Sequence, residues 1–141
     1  MTPRKETNYI VIHCSATRAN QQITVETIRH WHVVERGWSD IGYHWIIDRD
    51  GKVHTGRNAR VVGAHARGHN HHSIGVCLIG GLGEDGEPEN NFTSGQMLTL
   101  QMLVESLQLR YPGAEVVGHN DLNPYKACPS FFVDDWLESN L

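Results

Sequence analysis

Three side chains in this sequence have the chemistry of a metal-ligand set: His13, His119 and Cys128. Imidazole nitrogen and thiolate sulfur are donors that zinc prefers, and three of them leave the fourth tetrahedral corner open for water, as hydrolysis requires. Each stands at the end of an expected element: His13 closes an apolar run, His119 follows another, and Cys128 comes shortly after. Residues at strand ends of α/β folds face the crevice in which active sites form. Position alone leaves His13 equally readable as a satisfied strand-end histidine. Cys14 alternates to the opposite strand face from His13, which assigns it to the core. Cys128 precedes Pro129 at an expected helix N-terminus, where the macrodipole favours a thiolate able to bind a metal or attack a carbonyl.

Two more residues could complete such a centre. Lys126 brings an ammonium within two residues of Cys128, which suits stabilisation of an oxyanion, although a solvated lysine is the commoner case. Tyr43 offers a phenol for proton transfer or charge stabilisation, and reads equally as a packing residue at a strand start. The ten histidines include a cluster at His65, His69, His71 and His72, whose number alone assigns no role.

The elements that must position these groups follow from periodicity. Tyr9 to Cys14 is a β-branched apolar run that suits a buried strand, and Thr24 to Arg36 reads as a helix with Ile28, Trp31 and Val34 inward and Gly37 at its C-cap. Tyr43 to Asp48 is a strand that turns at Asp50-Gly51 into Lys52, Val53 and His54. Ser73 to Ile79 reads as a strand buried on both faces, followed by a solvated loop from Gly80 to Asn91. Thr93 to Gln96 has capping-box spacing, and Met97, Leu100, Val104 and Leu107 continue a helix to Arg110. A short strand is expected at Ala114 to Val117, and a last helix from Pro129 to Leu137. Alternating strands and helices with one hairpin predict an α/β fold: one domain over residues 1–141, motifs between about 9 and 138, and a central mixed sheet flanked by helices. The candidate site then lies in a cleft at the strand ends.

Bulk properties narrow the function classes. A chain of 141 residues, 39% hydrophobic and 20% charged, suits one compact core. A net charge of −4 argues against a partner held by phosphate contacts, so nucleic acid is not expected. No apolar run approaches the roughly 20 residues that span a bilayer, and Met1 to Lys5 lacks a signal-like apolar region, so synthesis in the cytoplasm without membrane insertion is expected. Three cysteines, an odd count, do not make a disulfide framework. A monomer is expected.

Six co-linear blocks carry a family likeness: H-C-S-A-T at His13 to Thr17, G-Y-H at Gly42 to His44, G-A-H-A-R-G-H-N at Gly63 to Asn70, S-I-G-V-C-L-I-G-G at Ser73 to Gly81, N-F-T at Asn91 to Thr93, and K-A-C-P-S-F at Lys126 to Phe131. Together they resemble the type 2 N-acetylmuramoyl-L-alanine amidases, above all the small lysozyme-amidases (endolysins) of T-odd coliphages, with peptidoglycan recognition proteins as more distant relatives. The resemblance implies one Zn2+ per chain on His13, His119 and Cys128, with Tyr43 and Lys126 as the catalytic pair. It implies His65 and His44 near the substrate, peptidoglycan, whose muramoyl–alanine amide is cut after release of the enzyme to the wall at lysis. Two departures stand out. The stretch from His119 to Lys126 is one residue longer than in the coliphage enzymes, with Asn120 where a second histidine would follow. The segment before His13 is shorter and dissimilar, so the RNA polymerase binding of the best-studied relative is not expected here. Competing readings are a thiol amidase with Cys128 as nucleophile and His119 as base, and a non-catalytic wall-binding module. A glycosidase lacks a well-placed carboxylate pair.

Overall fold

The computed structural model describes residues 1–140. Its strands are β1 (Tyr9–Cys14), β2 (Thr17–Arg18), β3 (Trp45–Ile47), β4 (Val53–Thr55), β5 (Ser73–Leu78), β6 (Gly81–Leu82) and β7 (Glu115–Gly118). Its α-helices are α1 (Val25–His30), α2 (Ser94–Arg110), α3 (His119–Leu122) and α4 (Val133–Asn140). The main sheet has the order β4-β3-β5-β1-β7. Strands β3, β5, β1 and β7 are parallel and β4 is antiparallel to β3, which is the expected mixed sheet.

The apolar run of β1 is explained by its central position. It is hydrogen-bonded to β5 and β7 and covered on both faces, so Ile10, Val11 and Ile12 are fully buried. Side chains alternate, so Ile74, Val76 and Leu78 of β5 meet α2 and α4 through Leu100, Val104, Leu107 and Trp136. On the other face, Cys77 and Ile46 pack with Val25 and Ile28 of α1. Leu100 is fully buried in the larger cluster. Leu100→Ala is expected to lower unfolding free energy by about 2–5 kcal/mol, read from the midpoint of urea denaturation.

The capping box of α2 is present: Thr93 Oγ1 accepts the Gln96 N–H at 3.1 Å, and Gln96 Oε1 accepts the Thr93 N–H at 3.0 Å. The hairpin also forms as expected, with Gly51 at φ +84° and Asp48 Oδ1 accepting the N–H groups of Asp50 and Lys52.

Four expectations are corrected. The first helix ends at His30 and continues as a π-helical turn over Trp31–Glu35, in which the Arg36 N–H reaches the Trp31 carbonyl at 3.1 Å. That wider turn leaves Val34 66% exposed and buries His32, whose Nδ1 accepts the Gly42 N–H at 2.9 Å. The loop after Gly80 contains β6, which pairs with β2 in a second, two-stranded sheet. A short helix, α3, begins at His119 itself. The last helix starts at Val133 rather than Pro129, because Ser130 sits at φ +73°, outside the right-handed helical region. Cys128 therefore lies in a loop, and no helix macrodipole acts on its thiol.

Candidate metal centre

The parallel register sets the centre. Residue His13 is paired with Cys77, and Ile12 with Gly118, so the end of β1 lies level with the end of β7. Chain continuation past Gly118 brings His119 beside His13, with ring centroids 4.6 Å apart. Helix α3 holds that position: Asp121 Oδ2 accepts the Gly118 N–H at 2.7 Å, and the Asn123 N–H donates to the His119 carbonyl at 2.9 Å. Asn120 braces the neighbouring loop. Its N–H donates to the Cys128 carbonyl at 2.9 Å and its side-chain amide to the Phe131 carbonyl at 3.2 Å.

One donor atom each from His13, His119 and Cys128 lies within 4.8 Å of the other two. His13 Nδ1 is 3.6 Å from Cys128 Sγ. A tetrahedral ion bound at about 2.0–2.3 Å from N and S donors fits such a set after small side-chain adjustments.

A chain of hydrogen bonds behind His13 fixes which of its nitrogens faces the centre. The Ser73 hydroxyl donates to the His69 carbonyl at 2.7 Å, so its oxygen accepts from His65 Nε2–H at 3.2 Å. His65 Nδ1 is then bare and accepts His13 Nε2–H at 2.9 Å. His13 Nδ1 is consequently left as a lone pair facing Cys128. Burial, reinforced by the neighbouring imidazoles, holds the pKa of His13 and of His65 well below the usual histidine range, so both rings are neutral at physiological pH. The His119 pKa is also lowered, by burial and by the Lys126 charge.

The strand pleat makes room for this relay. Val11 and His13 share a sheet face with Gly75 and Cys77. The His65 ring lies over Gly75, where an added Cβ would come within 2.6 Å of His65 Cγ. Gly75→Ala is expected to push the ring off His13 and to weaken several-fold the binding of any metal ion that His13 ligates, measured by competition with a chelator. Asn70 fixes the backbone, its Oδ1 accepting the N–H groups of His65 and Ala66 at 2.8 and 2.9 Å.

His44 and His65, expected near substrate, both have their ring nitrogens committed inside the protein. His44 is 1% exposed; its Nδ1 accepts the Gly75 N–H at 3.0 Å and its Nε2 donates to the Val61 carbonyl at 2.9 Å. Neither ring offers a free polar atom to a ligand. Of the remaining neighbours, His69 and His72 pack edge-on against Tyr9, and His71 stacks on His72.

Cys14 is buried, as expected, yet it touches the centre: its backbone N–H donates to Cys128 Sγ at 3.1 Å. The adjacent Cys14 thiol and burial push the Cys128 thiol up, whereas that N–H favours its thiolate. A divalent cation held there by His13, His119 and Cys128 would favour the thiolate, because coordination deprotonates a thiol. Cys77 is fully buried beneath the site and inert.

The centre forms the floor of a cleft of about 910 Å3. Tyr43 lines it, half-buried, with its ring 5.2 Å from that of His13. Burial, with nearby thiols adding to it, raises the phenol pKa well above its usual value, so Tyr43 stays a donor at neutral pH. Lys126 stands exposed at the mouth. Arg36 and Arg67 also line the cleft, and among the described residues no aspartate or glutamate does. On a chain of net charge −4, that local excess of cations draws an anionic ligand. It also removes the carboxylate pair that glycoside hydrolysis needs.

A mixed, parallel-dominated sheet with a His-His-Cys donor set at the C-terminal ends of its strands defines a single-domain α/β protein with a candidate metal centre. The family model described as N-acetylmuramoyl-L-alanine amidase (Amidase_2) matches residues 3–131, and the chain belongs to that family. It is 50% identical to the endolysin of Klebsiella phage KP32 over 139 residues, 99% of this chain and 91% of that protein. The endolysin of Escherichia phage T7 is 49% identical over 137 residues, 97% of this chain and 89% of its own length. Among solved structures, the N-acetylmuramoyl-L-alanine amidase LysCS of Clostridium intestinale superimposes with a TM-score of 0.81 at 29% identity, covering 95% of this chain and 83% of that one. The enzyme class is therefore that of an amidase.

Proposed function

We propose that this chain is a zinc-dependent endolysin that hydrolyses the amide joining N-acetylmuramic acid to L-alanine in peptidoglycan. A single amidase domain over residues 1–141 acts as a monomer on the cell wall after release at lysis, with one catalytic Zn2+ on His13, His119 and Cys128. The observation that carries the reading is the bare Nδ1 of His13, 3.6 Å from Cys128 Sγ on the floor of a carboxylate-free cleft. Two neutral imidazoles and one sulfur suit zinc and leave a coordination position open.

Bound there, zinc supplies an ionised water near neutral pH and polarises an amide carbonyl. The chain's own residues do the rest. Tyr43 is held protonated by burial and by the neighbouring thiols, with the buried Cys77 thiol as its side-chain partner in the free protein, and its phenol would supply a proton donor at the cleft wall once turned to the substrate. Lys126 places positive charge where the carbonyl oxygen becomes negative. Arg36 and Arg67 attract the carboxylates of the stem peptide, and Trp38 with Leu82 supplies apolar wall that excludes water. Because Lys126 is exposed and screened by water, Lys126→Ala is expected to lower kcat about tenfold, less than the 10²–10³ of an enclosed oxyanion donor. Its zinc content, read by mass spectrometry, stays at the wild-type value.

The test is product analysis on purified sacculi. New alanine amino termini are expected, lost after prolonged chelation and gel filtration, and restored by Zn2+. Full activity after chelation, together with loss on thiol alkylation, would replace the metal reading with a thiol amidase. Binding without release would leave a wall-binding module, and new reducing ends a glycosidase.

A further inference from the structure

A second group of donors lies outside the cleft, and no part of the amidase reading uses it. The chain's first residues are strapped across the body: the Arg4 N–H donates to the Arg60 carbonyl at 2.7 Å, and the Asn8 N–H to the His72 carbonyl at 2.7 Å. The strap carries Glu6 up to the short helical turn Asn70–His72, at the start of β5. One donor atom each from Glu6, His71 and His72 lies within 4.8 Å of the other two.

His71 and Glu6 are exposed, and because stacked rings aim their in-plane lone pairs side by side, the His71 ring must turn out of the stack for both imidazoles to reach one ion. The His71 and His72 rings are stacked 4.2 Å apart at 6°, and His69 stacks on His72 at 5.3 Å and 9°. Tyr9 packs edge-on against His72, ring centroids 5.2 Å apart, and orients it. His72 Nδ1 meets only the side-chain amide of exposed Asn8, at 3.1 Å, while Nε2 meets His69 Nδ1 at 3.1 Å. If Asn8 swings into solvent, His72 Nδ1 is free to ligate while its Nε2–H donates to His69, the outer partner that metal-bound histidines regularly have. Among the described residues no lysine or arginine pairs with Glu6.

We infer that Glu6, His71 and His72 form a second, peripheral site for a divalent transition-metal ion, with His69 as the hydrogen-bonded support behind His72. Two imidazoles and a carboxylate suit Zn2+ or Ni2+, with water filling the other positions. Since Glu6 and His71 are far apart in sequence, the bound ion ties the N-terminal strap to the body and stabilises the folded chain by mass action.

The inference is independent of the catalytic proposal, and its test reads stoichiometry rather than turnover. Wild-type protein carrying its first equivalent of Zn2+ is titrated calorimetrically with further Zn2+, alongside His71→Ala and Glu6→Gln. The wild type is expected to take up a second, weaker equivalent and to melt at higher temperature when it does. In both variants the second equivalent binds at least about tenfold more weakly and the added thermal shift disappears, with the first equivalent and the amidase activity intact. A second equivalent bound equally well by the variants, or absent from the wild type at millimolar Zn2+, overturns the site.

Discussion

Cys128→Ser is expected to bind one equivalent of zinc fewer than the wild type and to lose amidase activity by more than about a hundredfold. The lower bound comes from outer-shell partners of a metal, whose removal already costs 10- to 100-fold; a direct ligand contributes more. A serine hydroxyl keeps its proton at neutral pH, so the centre would be reduced to two imidazoles, too few to hold zinc against dilution. The Cys14 N–H that reaches Cys128 Sγ at 3.1 Å can still donate to a serine oxygen, so the metal-free fold should survive. Metal content by mass spectrometry and alanine release from sacculi, measured on the same preparations, check the result. A variant that keeps every equivalent of zinc while losing all activity would make Cys128 a nucleophile.

His65→Ala is expected to weaken zinc binding about 10- to 100-fold without raising KM. The resemblance to the amidase family implies a place near substrate for His65, whereas the hydrogen bonds commit both its nitrogens, one to His13 and one to Ser73. Removing the ring leaves His13 Nε2–H buried without an acceptor, a loss of about 1–3 kcal/mol, and no longer fixes the proton on that nitrogen. The population of His13 with Nδ1 bare, the only form that can ligate at that atom, falls accordingly. Saturating zinc should therefore restore most of kcat, and nitrogen NMR of the imidazoles should show mixed His13 tautomers in the variant. A raised KM at every zinc concentration would instead make His65 a substrate contact. Ser73→Ala removes the next link and is expected to act in the same direction, more weakly.

The legible part of the site was the part made of strong local signals. His13 stands at the end of an unbroken β-branched run, and such a run is buried wherever the chain goes. Helix α2 carries both a capping box and an apolar stripe, so its start was readable to within a residue. The hairpin at Asp50-Gly51 follows from one dipeptide. Lys126 and Cys128 were flagged by type and proximity, yet the helix expected after Pro129 was misplaced because nothing in the local sequence announces the φ of Ser130. The π-helical turn was missed for a related reason: its inward residue is His32, a polar side chain satisfied by the distant Gly42 N–H, and periodicity counts only apolar residues.

The sequence by itself determined the candidate donors, the class of fold and the family, because these depend on residue type and short-range pattern. Only the tertiary structure decided how these side chains are arranged. Parallel registry of β1 with β7 brought His119 to His13 across more than a hundred residues of chain, and no local pattern encodes strand order. Packing of His65 onto the bare backbone of Gly75 sets one of its nitrogens against His13 while the ring still lines the cleft, a pairing that no local pattern encodes. Proton positions in a buried network follow from every partner at once, so they exist as a property of the assembled fold and of no segment within it.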